Sequence, residues 1–259
     1  MTSNNVWEAG NFARIAPGAL IVSEVLCDAI PVYAGDAVLD IGCGTGNAAL
    51  AAARRRAIVA AVDPVELLLT QARERTRFEG FEIDYRHAPA EALPFADASF
   101  DIALSTFGLI FSDHPVQAVQ EAARVLRPGG VLGLTSWAAK STTFKIFEIC
   151  AAARPELRSI EVGRQWGNEN FAVEHLSPSF ASVQITPRMF YPRAMSVELW
   201  LAGMKQFLAP VYLAYEGASP ALAADLDTRL LALGHAGNHC PKPGFFGKVE
   251  YLEIVCRKA

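Results

Sequence analysis

Short continuous apolar runs alternate, along the first half of the chain, with segments whose apolar positions recur at helical spacing. The first run, Ala37 to Ile41 (AVLDI), opens into a glycine cluster, which predicts a buried parallel strand leading into a tight turn. The alanine-rich stretch Asn47 to Arg56 follows as a helix. Ala57 to Val62 (AIVAAV) is the second run, closed by Asp63; Pro64 suits the first turn of a helix over Val65 to Arg77, with Leu68, Leu69 and Ala72 inward. Phe81 to Tyr85, Phe100 to Ser105 and Val131 to Trp137 predict a third, fourth and fifth strand. Between the last two, Pro115 to Leu126 sets Val116, Val119, Ala123 and Leu126 on one helical face, and the turn Arg127-Pro128-Gly129-Gly130 ends it. Strand and helix alternating at this rhythm make βαβ units and a mostly parallel sheet.

After Trp137 the alternation loosens. Thr142 to Ala153 predicts a helix and Ala181 to Thr186 a strand. Ser196 to Tyr215 and Pro220 to Leu233 predict helices, Gly234 to Gly247 is turn-rich, and Val249 to Cys256 is a closing strand. A helical pair flanked by strands reads as an insertion between the last two strands, placed over the open end of the sheet.

Composition narrows the function. The chain has 259 residues, 52% of them hydrophobic, enough for one large α/β domain with a full core. Its net charge of −4 argues against a broad nucleic-acid-binding face, and Arg54, Arg55 and Arg56 read as the solvated end of a helix. No apolar run is long enough to span a bilayer, and the N-terminal residues carry no secretory pattern. Five widely spaced cysteines without a C-x-x-C pair fit reduced thiols, so a cytoplasmic protein is expected.

The chemistry gathers at the first turn. In a doubly wound sheet, ligands bind beyond the carboxyl ends of the strands where the strand order reverses. Gly42, Gly44 and Gly46 occupy that place, and glycine permits positive φ and close approach of a ligand to the main chain. The free N–H groups of the next helix can receive a carboxylate. Asp63 lies 17 residues after Gly46, at the end of the second strand, where an acid can accept two hydrogen bonds from a ribose diol. On spacing alone the motif stays ambiguous: nicotinamide dinucleotide proteins use G-x-G-x-x-G, and here the third glycine comes one residue early. A tight turn that binds nothing has the same pattern.

Five motifs in order resolve that ambiguity by resemblance. V-L-D-I-G-C-G-T-G-N-A-A-L, A-V-D-P, A-E-A-L-P-F-A-D-A-S-F-D, L-S-T-F-G-L-I-F and A-R-V-L-R-P-G-G resemble those of class I S-adenosylmethionine-dependent methyltransferases, in particular the small-molecule branch near the ubiquinone/menaquinone-biosynthesis and sterol-type enzymes. The opening W-E-A-G-N-F-A-R-I-A and the closing Y-L-E-I-V-C-R are similar to bacterial members. The resemblance implies a Rossmann-like, seven-stranded, mostly parallel sheet with helices on both faces. It also implies a single domain over 1–259: an N-terminal helical lid (1–35), a cofactor-binding core (36–137) and a substrate-side half (138–259) with a helical insertion at about 194–234. S-adenosylmethionine would be the cofactor and S-adenosylhomocysteine the product. Asp40 and the backbone of Gly42, Gly44 and Gly46 would surround the amino-acid half, Asp63 the ribose, and Pro64, Ala90 and Glu91 the adenine. Ser105, Thr106 and Phe107 would line the cleft near the sulfonium, and Trp7 and Arg14 would help to close it. One departure stands out: the family commonly has Gly-Asp where this chain has Ala88-Pro89, so the acid that accepts the adenine amino group is missing.

Methyl transfer is an in-line displacement for which the protein mainly supplies alignment and a dry approach path, with a general base where the acceptor is a hydroxyl or carbon. His114 is the first candidate for that base; the competing role for Asp113 and His114 is to cap the helix at Pro115. His235 and His239 lie in the late glycine-rich loop, but the intervening Gly237 argues against two imidazoles on one helix face, and no metal is expected. His87 ends a strand, and His175 has no telling context. Trp200, Phe207, Tyr212 and Tyr215, with Phe190 and Tyr191 before them, supply an aromatic lining suited to a hydrophobic or aromatic small-molecule acceptor, unless they are simply core. The expected protein is a monomer or homodimer that methylates such a metabolite and binds no nucleic acid. A methyltransferase-fold protein catalysing a cyclisation or rearrangement without methyl transfer is the alternative, and a nicotinamide-dependent oxidoreductase ranks third.

Overall fold

A computed structural model describes residues 6–259. Two short 3₁₀ turns, Phe12–Arg14 and Ala16–Ala19, lead into α1 (Leu20–Ala29). The alternating core follows: β1 (Ala37–Ile41), α2 (Asn47–Arg54), β2 (Ile58–Asp63), α3 (Glu66–Glu79), β3 (Asp84–His87), β4 (Phe100–Thr106), α4 (Pro115–Val125) and β5 (Leu126–Trp137). Then come α5 (Thr142–Ala153), a long 3₁₀ stretch (Pro155–Gly167), α6 (Glu169–Leu176), β6 (Ser182–Phe190), β7 (Arg193–Ala194), α7 (Val197–Phe207), α8 (Ala209–Tyr215), α9 (Pro220–Ala236), β8 (Phe245–Phe246) and β9 (Val249–Arg257).

The described residues form a seven-stranded sheet in the order β3-β2-β1-β4-β5-β9-β6, with β7 and β8 as a separate two-stranded ribbon. β3, β2, β1, β4 and β5 run parallel, and β9 is antiparallel to both β5 and β6. The order reverses between β1 and β4, so the carboxyl ends of those strands open a crevice there. Strands buried on both faces explain the unbroken apolar runs: Val38, Leu39 and Ile41 of β1 and Leu104 of β4 are wholly buried. The helices α7, α8 and α9 lie between β6 and β9, as the insertion reading anticipates. Among the described residues no helix is long and apolar enough to cross a membrane.

Several expectations shift. The third strand is Asp84–His87 rather than 81–85, because β3 is a short edge strand that joins only β2, from Ala60↔Asp84 to Asp63↔His87. Pro64 precedes α3, whose N-cap is Val65. The face of α4 that packs inward is Ala118, Val119, Ala122 and Ala123, while Val116 is exposed. The Arg127–Gly130 turn is looped out of the ladder, since Leu126 pairs with Phe100 and Val131 with Ile102. The single helix expected over 196–215 breaks between Phe207 and Ala209, where Pro210 starts the next helix in its first turn. Arg54 and Arg55 are clamps rather than solvated ends: Arg54 pairs with Glu24 and Glu79, and Arg55 with Glu24 and Asp28, tying α2 to α1 and α3.

Candidate active site

The glycine turn after β1 has a fixed geometry. Gly42, Gly44 and Gly46 all take positive φ (+65°, +53° and +85°), a region costly for other residues. At Gly42 the reason is also steric, because a Cβ there would sit 2.9 Å from Gly108 Cα. The contact is reciprocal: a Cβ on Gly108 would strike the Gly42 carbonyl oxygen. The turn after β1 and the loop after β4 therefore meet backbone to backbone. Ser105 holds this junction: its Oγ donates to the Ile41 carbonyl (2.6 Å) and accepts from the Leu109 N–H (2.8 Å).

Two buried carboxylates flank the turn. Asp40 Oδ2 accepts from the Ala49 N–H (2.8 Å) within the first turns of α2. Asp63 Oδ2 accepts from the Gly44 N–H (2.8 Å) and its Oδ1 from the Val65 N–H (2.9 Å), so it ties the glycine turn to the start of α3. Burial pushes Asp40 up to about 7, and against the pull of these N–H donors it pushes Asp63 up to about 6. Arg75 braces the turn from behind: its Nη1 donates to the Thr45 carbonyl (2.6 Å), Thr45 Oγ1 (3.0 Å) and Asn47 Oδ1 (3.0 Å). Asn47 Nδ2 in turn donates to the Ala16 carbonyl (2.8 Å), which ties the N-terminal segment to the same turn.

These groups open onto one cavity of about 630 Å³. Of the residues singled out in the sequence, Trp7, Arg14, Asp40, Gly42, Asp63, Pro64, Ala90, Glu91, Thr106 and Phe107 line it. Gly44, Gly46 and Ser105 do not; they shape the turn and the junction beneath. Glu91 Oε1 accepts from Ser112 Oγ (2.5 Å) and the His114 N–H (3.3 Å). His114 itself is not brought to the cavity: it is the N-cap residue of α4, without a side-chain cap bond, and its exposed side chain belongs to a shallow surface depression with Asp113, Pro115 and Val116. The other histidines also stand elsewhere. His87 Nε2 meets the Pro64 carbonyl (2.8 Å), His175 stacks on Phe171, and His235 faces Glu198. Among the described residues no cluster of three or more histidine, cysteine or acidic side chains is placed to hold a metal.

Aromatic side chains build the far end. Phe107, a non-glycine residue at φ +59°, lies flat on Trp137 with ring centroids 3.7 Å apart and an interplanar angle of 7°. Trp137 continues to Phe190 (6.0 Å), and Trp200 stacks on Phe245 (5.0 Å). Of the aromatic residues expected there, Trp200, Phe190 and Tyr191 line the cavity. Phe207, Tyr212 and Tyr215 do not; Tyr215 donates to Asp227 (2.8 Å), and Tyr212 points to solvent. Trp137, Phe147 and Phe245, which the sequence pattern does not single out, also line it. Trp137 could have been found, since it ends a core strand beside the crevice; Phe245 is placed by the β7–β8 ribbon, which carries no sequence signal of its own.

Comparison with known proteins bears on the domain and on the fold. Residues 39–134 match the family model described as a methyltransferase domain. An uncharacterised Mycobacterium tuberculosis protein is 29% identical over 240 residues, covering 90% of this chain and 86% of its own. Methyltransferase GfsG of Streptomyces halstedii is 38% identical over 124 residues, 47% of this chain and 45% of its own length. The crystal structure of YcgJ from Bacillus subtilis shares the fold, with a TM-score of 0.63 at 19% identity over 91% of this chain and 97% of that one. Residues 39–134 thus resemble a methyltransferase domain, set in a fold that solved structures such as YcgJ share.

Proposed function

We propose that the protein transfers a methyl group from S-adenosylmethionine to a small hydrophobic or aromatic acceptor. The observation that carries the reading is the continuity of the cavity, which joins the glycine turn and Asp63 at one end to the Phe107–Trp137 and Trp200–Phe245 stacks at the other. The donor set fits the cofactor: buried carboxylates suit ribose hydroxyls and an ammonium, and the glycine turn leaves main chain open to close approach. Asp63 would accept the ribose hydroxyls, while Asp40 and the main chain of Gly42 to Gly46 would surround the amino-acid half. Pro64, Ala90 and Glu91 would flank the adenine, and Thr106 and Phe107 the reacting end. Trp7 and Arg14 would close the cavity from the N-terminal segment, and the insertion would cover the acceptor.

When bound, the cofactor supplies a methyl group already activated on a positively charged sulfur. The protein's part is then to hold the two reactants in line and to exclude water, for which an apolar lining is suited. The test is incubation with methyl-labelled S-adenosylmethionine and a panel of hydrophobic aromatic acceptors, followed by product mass and S-adenosylhomocysteine release. A gain of one methyl with stoichiometric S-adenosylhomocysteine is expected. A product of unchanged mass would instead establish the non-methylating cyclisation or rearrangement.

A further inference from the structure

The titratable side chains that line the cavity are sorted by sign. Its acids, Asp40, Asp63 and Glu91, all come from the β1–β4 half of the chain, as does the Cys43 thiol, which burial pushes well above its usual value. Every one of those acids already accepts a hydrogen bond from its own half, from Ala49, from Gly44 and Val65, and from Ser112. The half that follows β5 contributes no acid, histidine or cysteine among the described residues. Its titratable lining groups are Tyr191, Arg193 and Lys248, and the N-terminal segment adds Arg14. None of these three cations has a carboxylate partner among the described residues.

The β7–β8 ribbon brings the two cations of the far end together. Arg193 pairs with Phe246, and the Gly247 N–H donates to the Pro192 carbonyl (2.9 Å), so Lys248 falls across from Tyr191. The Arg193 guanidinium stands 4.9 Å over the Phe246 ring, which itself stacks on Tyr191. Arg193 and Lys248 are exposed and yet line the cavity, which places them at its mouth above the aromatic walls.

A cavity with aromatic walls, cations at its acceptor end and no base there selects its nucleophile. Resting on the methyl-transfer reading above, we infer that the acceptor is a flat conjugated molecule whose reacting oxygen, an acidic phenol or enol, enters already ionised and is held as the anion by Arg193 and Lys248. The electron balance is then complete without a base. The anionic oxygen forms the new bond to the methyl carbon, the carbon–sulfur bond breaks, and its electron pair returns to the positive sulfur, leaving a neutral thioether and a neutral ether. No proton moves in that step. Cations near an oxyanion favour its charged form, and because Arg193 and Lys248 are exposed their pull is the modest one of solvent-screened charges.

The test uses 4-nitro-1-naphthol, whose ionised form absorbs in the visible, titrated with the full-length protein saturated with S-adenosylhomocysteine so that no turnover occurs. The bound probe is expected to ionise about one pH unit below the free probe. In the R193M/K248M double variant, which changes two exposed side chains, that shift should fall to less than half, with S-adenosylhomocysteine affinity unchanged by calorimetry. With S-adenosylmethionine as co-reactant, the pH at which kcat/KM levels off should follow the acceptor, lying lower for 4-nitro-1-naphthol than for 1-naphthol. A bound probe that ionises at or above its free value, a shift indifferent to the double variant, or no binding of the probe would overturn the inference. So would a plateau at one fixed pH for both naphthols, the signature of a protein base such as Asp40 or Asp63. Failure of S-adenosylhomocysteine itself to bind would instead overturn the methyl-transfer reading.

Discussion

Replacing Asp63 by asparagine separates what the carboxylate does for the cofactor from what it costs the fold. Both oxygens of Asp63 are engaged by main-chain donors, at 2.8 Å from Gly44 and 2.9 Å from Val65, so one lone pair on each remains for a ribose hydroxyl. Asparagine keeps one neutral acceptor and turns a donor toward a second N–H. Losing one charge-assisted bond and weakening the other removes about 2–3 kcal/mol of binding, roughly 30- to 150-fold in Kd. The free protein responds differently. Between the ordinary 3.8 and about 6, folded Asp63 holds a proton that the unfolded chain has released, so its contribution to stability falls as pH rises through that window. Above it, keeping the buried carboxylate ionised costs on the order of 3 kcal/mol, and the asparagine variant escapes that cost. One lost main-chain hydrogen bond, about 1–3 kcal/mol, offsets most of the gain. Near pH 8 the variant should therefore melt within a few degrees of the wild type while binding far more weakly. Thermal melts read the first effect, and isothermal titration calorimetry with S-adenosylhomocysteine from about pH 5 to about pH 8 reads the second. Wild-type affinity should be lost as pH falls through about 6, because the ribose donors need the ionised form. Asp40, pushed up to about 7 by burial and in part by the Asp63 charge, titrates in the same range, so Asp63→Asn should leave a single step, that of Asp40, displaced downward. A variant within threefold of the wild type near pH 8, or one that retains two steps, would refute the assignment of the ribose to Asp63.

Three further substitutions test the junction at Gly42, the Arg75 brace and the position of His114. Gly108→Ala drives a methyl group into the Gly42 carbonyl and should abolish S-adenosylhomocysteine binding and lower Tm by several degrees, read by calorimetry and thermal melts. Arg75→Met removes three hydrogen bonds to Thr45 and Asn47 and should weaken S-adenosylhomocysteine binding about tenfold, with faster proteolysis before α1 as the anchor at Ala16 loosens; unchanged affinity and cleavage would show that the turn stands without it. His114→Ala should leave methyl-transfer kcat within about twofold, since the imidazole lies outside the cavity; a loss of about 100-fold would restore it as the base.

The half of the fold that rests on buried parallel strands was legible in the residues. Runs such as Ala37–Ile41 have one reading once the glycine cluster behind them is noticed, and α5 has the bounds its pattern predicts. What escaped was decided by tertiary contacts. β3 carries no buried residue, so the apolar spacing of Phe81, Ile83 and Tyr85 drew the strand three residues early. The break in the helix expected over 196–215 does have a signal in the residues, Pro210, which a helix interior excludes and a first turn accepts. At the site, residues of the glycine turn follow from local geometry. Which aromatic side chains face the cavity does not, since helical spacing cannot distinguish Trp200, which lines it, from Phe207, which does not. The β7–β8 ribbon, two residues on each strand, leaves no periodicity to read, and it is what gathers Arg193 and Lys248.

The left-handed backbone at Phe107 sets two kinds of fitness against each other. A bulky residue at φ +59° carries a conformational penalty of about 1–3 kcal/mol, and glycine at that position would be free of it. The same change would strip the ring that lies on Trp137 and leave that wall of the cavity half built. Melting temperature records only the balance of relieved strain, lost ring packing and the greater freedom of an unfolded glycine, so a search by heat resistance alone is blind to the acceptor surface that Phe107→Gly discards. A search by turnover would keep the strain.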